Sequence, residues 1–338
     1  MNYHIFKNIS LEDKHTFSLQ ASAQFFVPCD LPEHILEFLN NESYAKLPRF
    51  ILGGGSNVVF TKDFEGVILK PTIQGIEKIQ ENDDYVWLRV GAGENWDNFV
   101  AYAVNHNLGG IENLSYIPGS VGASPIQNIG AYGIEVKESI EKVEGINIQK
   151  KELVIFKKHD CNFTYRSSIF KEELFNKIII THVTFRLTKQ HNLVTDYSGV
   201  QEELQNYNEI NIKTLREAII SIRKRKLPDP QVIPNSGSFF KNPILPKEKV
   251  HTLKNTYPLL PIFPYNEREE KISAAWLIEQ CGFKGQRAGA IGVSEKHALV
   301  LVNYGNGNGN DLRKLVNEIQ QSVQKKFSIH LKPEVLIL

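Results

Sequence analysis

Apolar residues recur at helical spacing in several stretches of the chain. Ile35, Leu36 and Leu39 share one side of a predicted helix that starts near Leu31, with Asp30 placed to cap it and Pro32 in its first turn. Phe99, Val100, Ala103 and Val104 predict a second helix over 96–108, with Gly109 as a left-handed stop. A third is expected over 214–226, halted by Pro228 and Pro230. A short one follows over 273–281, closed by Gly282. The last, over 312–327, sets Leu315, Val316, Ile319 and Val323 on one face behind Asp311 as N-cap. Strands are predicted at 49–52, 58–60, 86–90 and 298–304, and at 334–338, where the chain can return to an earlier sheet. From 140 to 187 the pattern is mostly strand, including the β-rich run 178–185. Between Pro230 and the helix at 273 the chain reads as a loop.

Residues 116–133 follow neither period and contain four glycines and two prolines. Long irregular stretches inside compact chains are uncommon unless they bind something or are disordered. Ile117, Val121, Ile126 and Ile129 argue against disorder here.

Composition narrows the function classes. With 338 residues, two or three domains are expected; 41% hydrophobic and 23% charged residues are an ordinary globular balance. Lys+Arg 39 against Asp+Glu 38 leaves +1, so no nucleic-acid partner is expected. Cys29, Cys161 and Cys281 lie far apart with no CxxC pair, which implies free thiols in a reducing compartment and no metal site. Residues 1–17 lack the apolar core of a signal peptide, and the longest apolar runs, 218–222 and 298–302, are too short to span a bilayer. A cytoplasmic protein without membrane insertion is expected.

Four stretches carry candidate chemistry. Gly53, Gly54, Gly55, Ser56 and Asn57 sit between two strands, where consecutive amides and a hydroxyl can hold a diphosphate; a plain hairpin turn has the same look. The run 117–133 alternates small and stiff residues over seventeen positions, as a backbone lining a flat ligand would, or as an omega loop packed on itself. Residues 235–243 place Ser238, Lys241 and Asn242 beside Phe239 and Phe240, the rings either excluding water from a polar ligand or simply entering the core. Ser238 lacks a Gly-x-Ser-x-Gly elbow, which disfavours a hydrolase, though a serine can donate a proton. Residues 223–226 are a basic helix end that can hold phosphates or merely complement the dipole. The Gly/Asn run 305–310 lacks the last glycine and the acidic residue of a dinucleotide fingerprint and reads as a flexible connection. Locally, Arg166 and Glu334 look like ordinary surface charges.

The run 117–133 closely resembles the FAD-binding loop of the UDP-N-acetylenolpyruvoylglucosamine reductases. Residues 53–57, 165–166, 226–230, 237–243, 274–280 and 333–335 resemble the same family in order, over essentially the whole chain. Two departures stand out: His15-Thr16-Phe17 replaces the usual Asn-Thr-Phe, and Leu336 stands where the family usually has Arg. The resemblance implies an α+β fold of the vanillyl-alcohol-oxidase/PCMH type, with FAD-binding parts at 1–70 (rejoined by 328–338) and 71–227 and a substrate domain at 228–327. Residues 196–199 resemble the substrate-covering tyrosine loop of the longer, type I members.

The family's roles then fall on particular residues of this chain. Non-covalent FAD would be held by Gly53, Gly54, Gly55, Ser56, Asn57, Ile117, Pro118, Gly119, Ser120, Val121, Gly122, Ala123, Ser124 and Gly130. NADPH would be the co-substrate and UDP-N-acetylglucosamine enolpyruvate the substrate. Arg166 would stabilise the enolate, Glu334 would polarise beside it, and Ser238 would donate the proton. Tyr197, Lys226 and Asn242 would hold the diphosphate. A monomer is expected. An FAD oxidase of the same fold and an inactive flavin binder are the competing implications.

Overall fold

The computed structural model describes residues 3–197 and 199–338, so Ser198 of the tyrosine stretch and the first two residues of the N-terminus lie outside the described residues. The chain forms two compact units, each made of three separate segments.

The first unit comprises Ala23–Gly55 and Phe64–Lys224 with the stretch up to Ile9. Its smaller sheet has the order Phe6–Ser10, Ser22–Cys29, Phe64–Pro71, Arg49–Ile51, and the last three strands run parallel. Parallel neighbours need a crossover. Helix Pro32–Asn40 supplies one, burying Ile35, Phe38 and Leu39 with Val27, Val67 and Leu69. The larger sheet is antiparallel, in the order Glu152–Lys157, Ile140–Asn147, Ile178–Thr188, Tyr85–Gly91, Ile76–Glu81. Alternation sends Val86, Leu88 and Val90 to a second core under helix Trp96–Asn105, where Phe99 meets Phe185 with ring centroids 4.8 Å apart. Helix Ile212–Lys226 packs Leu215, Ala218, Ile219 and Ile222 on the short helix Val200–Leu204.

The second unit is Ser10–Ser22, Ser56–Asp63 and Arg225–Leu338. Its main sheet has the order Asn235–Ser238, Val300–Asn303, Ile291–Val293, Arg287–Ala288. Helix Gly309–Phe327 buries Leu312, Leu315, Val316, Ile319 and Val323 in the same core as Phe17, Leu19, Val59, Phe239 and Phe240. The terminal strand Leu336–Ile337 runs parallel to Val58–Val59, the return expected from the sequence.

The predicted elements exist, but several boundaries differ for physical reasons. Asp30 does not cap the first helix: its carboxylate is taken by His34 Nδ1 at 2.6 Å. The cap of the last helix is Asn308, whose Oδ1 accepts from Asp311 N at 3.0 Å, so part of the Gly/Asn run is helix rather than flexible connection. Gly109 does not stop the second helix; Asn107 takes the left-handed turn at φ +58, and Gly109 instead exchanges backbone bonds with Thr188. The loop expected after Pro230 contains helix Lys247–Thr256 and the three-stranded sheet Ile244–Pro246, Glu269–Ile272, Ile262–Pro264.

Candidate active site

In the first unit, the stretch after Arg49–Ile51 is no hairpin turn, because that strand and Val58–Val59 belong to different sheets. Gly54 lies against the other glycine-rich loop so closely that a Cβ there would stand 2.5 Å from Gly119 Cα. Contacts under 3 Å between such atoms are forbidden, so only glycine permits this approach. The second loop is anchored from behind: Val121 N donates to Glu94 O and Gly122 N to Ala92 O, each at 2.9 Å. The amides of Gly53, Gly54, Gly55, Gly119 and Ser120 donate to no acceptor among the described residues. Five donors on two touching loops make a concentrated patch of positive backbone dipoles. Ser124 differs, since its hydroxyl is committed within the loop to Val121 O at 2.7 Å.

The start of the second loop is clamped. Tyr116 sits at φ +58; Asp97 accepts its amide at 2.5 Å, and Arg223 Nε donates to its carbonyl at 3.0 Å. Arg216 holds Asp97 with two bonds of 2.7 and 3.0 Å. Desolvation pushes the Arg223 guanidinium below its ordinary pKa, against the opposing pull of Tyr132 and Asp97.

Arg166 is docked on the far end of the loop. Its backbone is left-handed at φ +54, and its guanidinium donates to the carbonyls of Asn128 and Gly130. A Cβ at Gly130 would stand 2.9 Å from the backbone oxygen of Ile134 and would also push the Arg166 guanidinium aside, so the position favours glycine. Asn128, fully buried, is the hub that sequence reasoning missed. Its Nδ2 donates to Glu135 at 3.0 Å and to Thr164 O at 2.9 Å, and its Oδ1 accepts from Lys137 N at 3.1 Å. Its φ is +46, a left-handed conformation that Asn tolerates where most side chains do not, and no local pattern in the sequence marks it. Tyr197 is 43% exposed, its ring edge-on to Tyr132 with centroids 5.5 Å apart.

In the second unit, Ser238 ends strand Asn235–Ser238 opposite Val300 and is exposed, while Phe239 and Phe240 are fully buried. The two rings therefore enter the core instead of screening a ligand. Glu334 is brought alongside: its amide donates to Phe239 O at 2.8 Å, and its carbonyl accepts from Asn57 Nδ2 at 3.2 Å. Asn242 Oδ1 accepts from Ala274 N at 2.9 Å, so half of its amide holds the start of helix Ala274–Gln280. Lys226 is exposed at the end of its helix, close enough to His297 to help depress that imidazole's pKa, although desolvation is the larger cause.

The FAD binding domain profile matches residues 23–149, and that of the UDP-N-acetylenolpyruvoylglucosamine reductase C-terminal domain matches 229–338. A UDP-N-acetylenolpyruvoylglucosamine reductase from Amoebophilus asiaticus is 45% identical over 334 residues, 98% of either chain. The chain belongs to that reductase family. A Bacteroides fragilis member is 43% identical over 326 residues, 96% of this chain and 98% of its own. The fold of the family is shared by the Thermus caldophilus reductase structure, with TM-score 0.68 and 22% identity, covering 100% of this chain and 99% of that one. A solvent-stable cholesterol oxidase also matches at TM-score 0.52 and 10% identity over 98% of this chain and 87% of its own. The fold is thus α+β, of the vanillyl-alcohol-oxidase/PCMH type expected from the sequence, with a C-terminal α+β domain.

Proposed function

We propose that the chain reduces UDP-N-acetylglucosamine enolpyruvate to UDP-N-acetylmuramate, a peptidoglycan precursor, using non-covalently bound FAD and NADPH. Family membership supports the substrate. The observation that carries the cofactor is the pair of touching glycine loops, whose five amides lack an acceptor among the described residues. Such donors fit a diphosphate. Gly53–Gly55, Ser56, Asn57 and residues 117–124 would hold it, with Gly130 beyond. Neither loop contains His or Cys, so no covalent tether to the flavin is expected.

When bound, FAD supplies the hydride relay from NADPH to the terminal vinyl carbon of the substrate. Arg166 binds the substrate carboxylate and steadies the negative charge that develops there, its guanidinium oriented by the loop carbonyls of Asn128 and Gly130. Ser238 Oγ gives its proton to the other carbon, and Glu334 polarises that transfer. Tyr197, Lys226 and Asn242 bind the diphosphate, and the tyrosine loop at 196–199 makes the chain a type I member. The separate cores of the first unit support two FAD-binding parts, within 1–70 and within 71–227, followed by a substrate domain at 228–327; residues 10–22, 56–63 and 328–338 cluster with that last domain instead of the first part. We read the protein as a cytoplasmic monomer. Among the described residues, no helix is long and apolar enough to cross a membrane.

Turnover tests this function. NADPH consumption by the yellow holoprotein is expected only with the enolpyruvyl substrate, and acid precipitation should release the flavin. Rapid peroxide formation without substrate would identify an oxidase instead, and a colourless protein with no FAD affinity would overturn the assignment.

A further inference from the structure

Asn113 lies in the 3₁₀ turn Glu112–Leu114 and is 1% exposed. Its Nδ2 donates to Tyr132 O at 2.9 Å, near the end of the glycine-rich loop, and to Val194 O at 2.8 Å, three residues before Tyr197. Turning the amide over would set its oxygen against two carbonyl oxygens, which fixes the orientation. Both amide hydrogens thus join two stretches that are remote in sequence.

The tyrosine stretch has little else to fix it. Among the described residues, no backbone group of residues 191–196 makes a backbone hydrogen bond, and Asp196 is held only by Gln201 at 3.3 Å. His191 reaches Asn107 O at 3.1 Å, and Leu193 packs partly on two cores. Asn113 grips the chain between those contacts and Tyr197, and it grips Tyr132, whose ring is the one Tyr197 meets edge-on.

We propose that Asn113 is a positioning residue for Tyr197. It ties the tyrosine stretch to the flavin loop, so that the phenol is presented before substrate arrives and little ordering remains to oppose binding. The effect on catalysis rests on the reading of Tyr197 as a diphosphate ligand; the tether itself does not.

The test uses full-length, FAD-loaded enzyme with Asn113→Leu, Asn113→Ser, Tyr197→Phe and the Leu/Phe double variant. Losing two hydrogen bonds should speed proteolysis by trypsin at Lys189 and chymotrypsin at Tyr197 about tenfold. The substrate KM should rise about 5–50-fold, with FAD content and the NADPH half-reaction unchanged. Asn113→Ser, which keeps one donor and little bulk, should fall between, and it carries the test if Leu impairs folding. The Leu/Phe effects should be clearly less than additive. Unchanged proteolysis in both Asn113 variants overturns the tether. Equal losses in both half-reactions, or fully additive effects, overturn its role toward Tyr197. Faster proteolysis together with normal substrate binding by Tyr197→Phe would instead retire the reading of Tyr197 and leave the tether standing.

Discussion

A serine at a strand end owes its position to its neighbours. Phe239 and Phe240, both fully buried, hold the backbone next to Ser238, and Glu334 N is bonded to that same stretch. Ser238→Ala should leave this packing, FAD content and the NADPH half-reaction intact. Oxidation of the reduced flavin by substrate should slow about 10²–10⁴-fold, as for loss of a general acid. Stopped-flow traces of the two half-reactions decide it, and a normal oxidative step would remove Ser238 from the mechanism. His15 offers a stability test. It is 3% exposed, its Nδ1 has no partner among the described residues, and desolvation holds its pKa down to about 4 from 6.5. Between those values the unfolded chain binds the proton that the folded one refuses, so stability falls as pH drops through this window. From pH 7 to pH 5 the loss is about 2 kcal/mol, read as a lower denaturation midpoint, and His15→Asn should lack this component. An unchanged pH slope in that variant would contradict it. The stretch around Ser238 stood out by its motif. Asn113 and Asn128 did not, because each is defined by partners up to 81 residues away and leaves no local pattern.

Elements with a wide apolar stripe were easy to read. Helix Gly309–Phe327 buries seven residues, whereas Lys247–Thr256 buries only Val250, and the strands around it are three or four residues long, too short for a period to show. Caps failed for a different reason: Asp30 and Asp311 had the right chemistry, but His34 holds the Asp30 carboxylate, and Asn308 takes the cap position ahead of Asp311. The glycine loops were visible as composition, while their mutual contact was not. Gly54→Ala tests that contact. A methyl 2.5 Å from the Gly119 backbone has no side-chain end to push aside, so the loops must part. We expect FAD affinity to fall at least about tenfold, with about 1–3 kcal/mol lost from overpacking. Flavin fluorescence titration and urea melts measure the two, and native affinity in the variant would show that the approach is not needed for the cofactor.

At the scale of the molecule, no local pattern announced that Ser10–Ser22 and Ser56–Asp63 leave the first unit to complete the second. The return of the last strand to Val58–Val59 was expected, but its company was not: Phe17 and Leu19 also join the core built by residues beyond 225. This interleaving has a consequence for biosynthesis. The second unit cannot close until Leu336–Ile337 has been made, because that strand pairs with Val58–Val59 among its earliest segments. At about 5–20 residues per second the wait lasts tens of seconds, during which Phe17, Leu19 and Val59 lack their full native cover. Nascent chains should therefore depend on chaperones late rather than early in synthesis, and slow codons near the middle of the message would lengthen the exposure instead of helping a domain to mature.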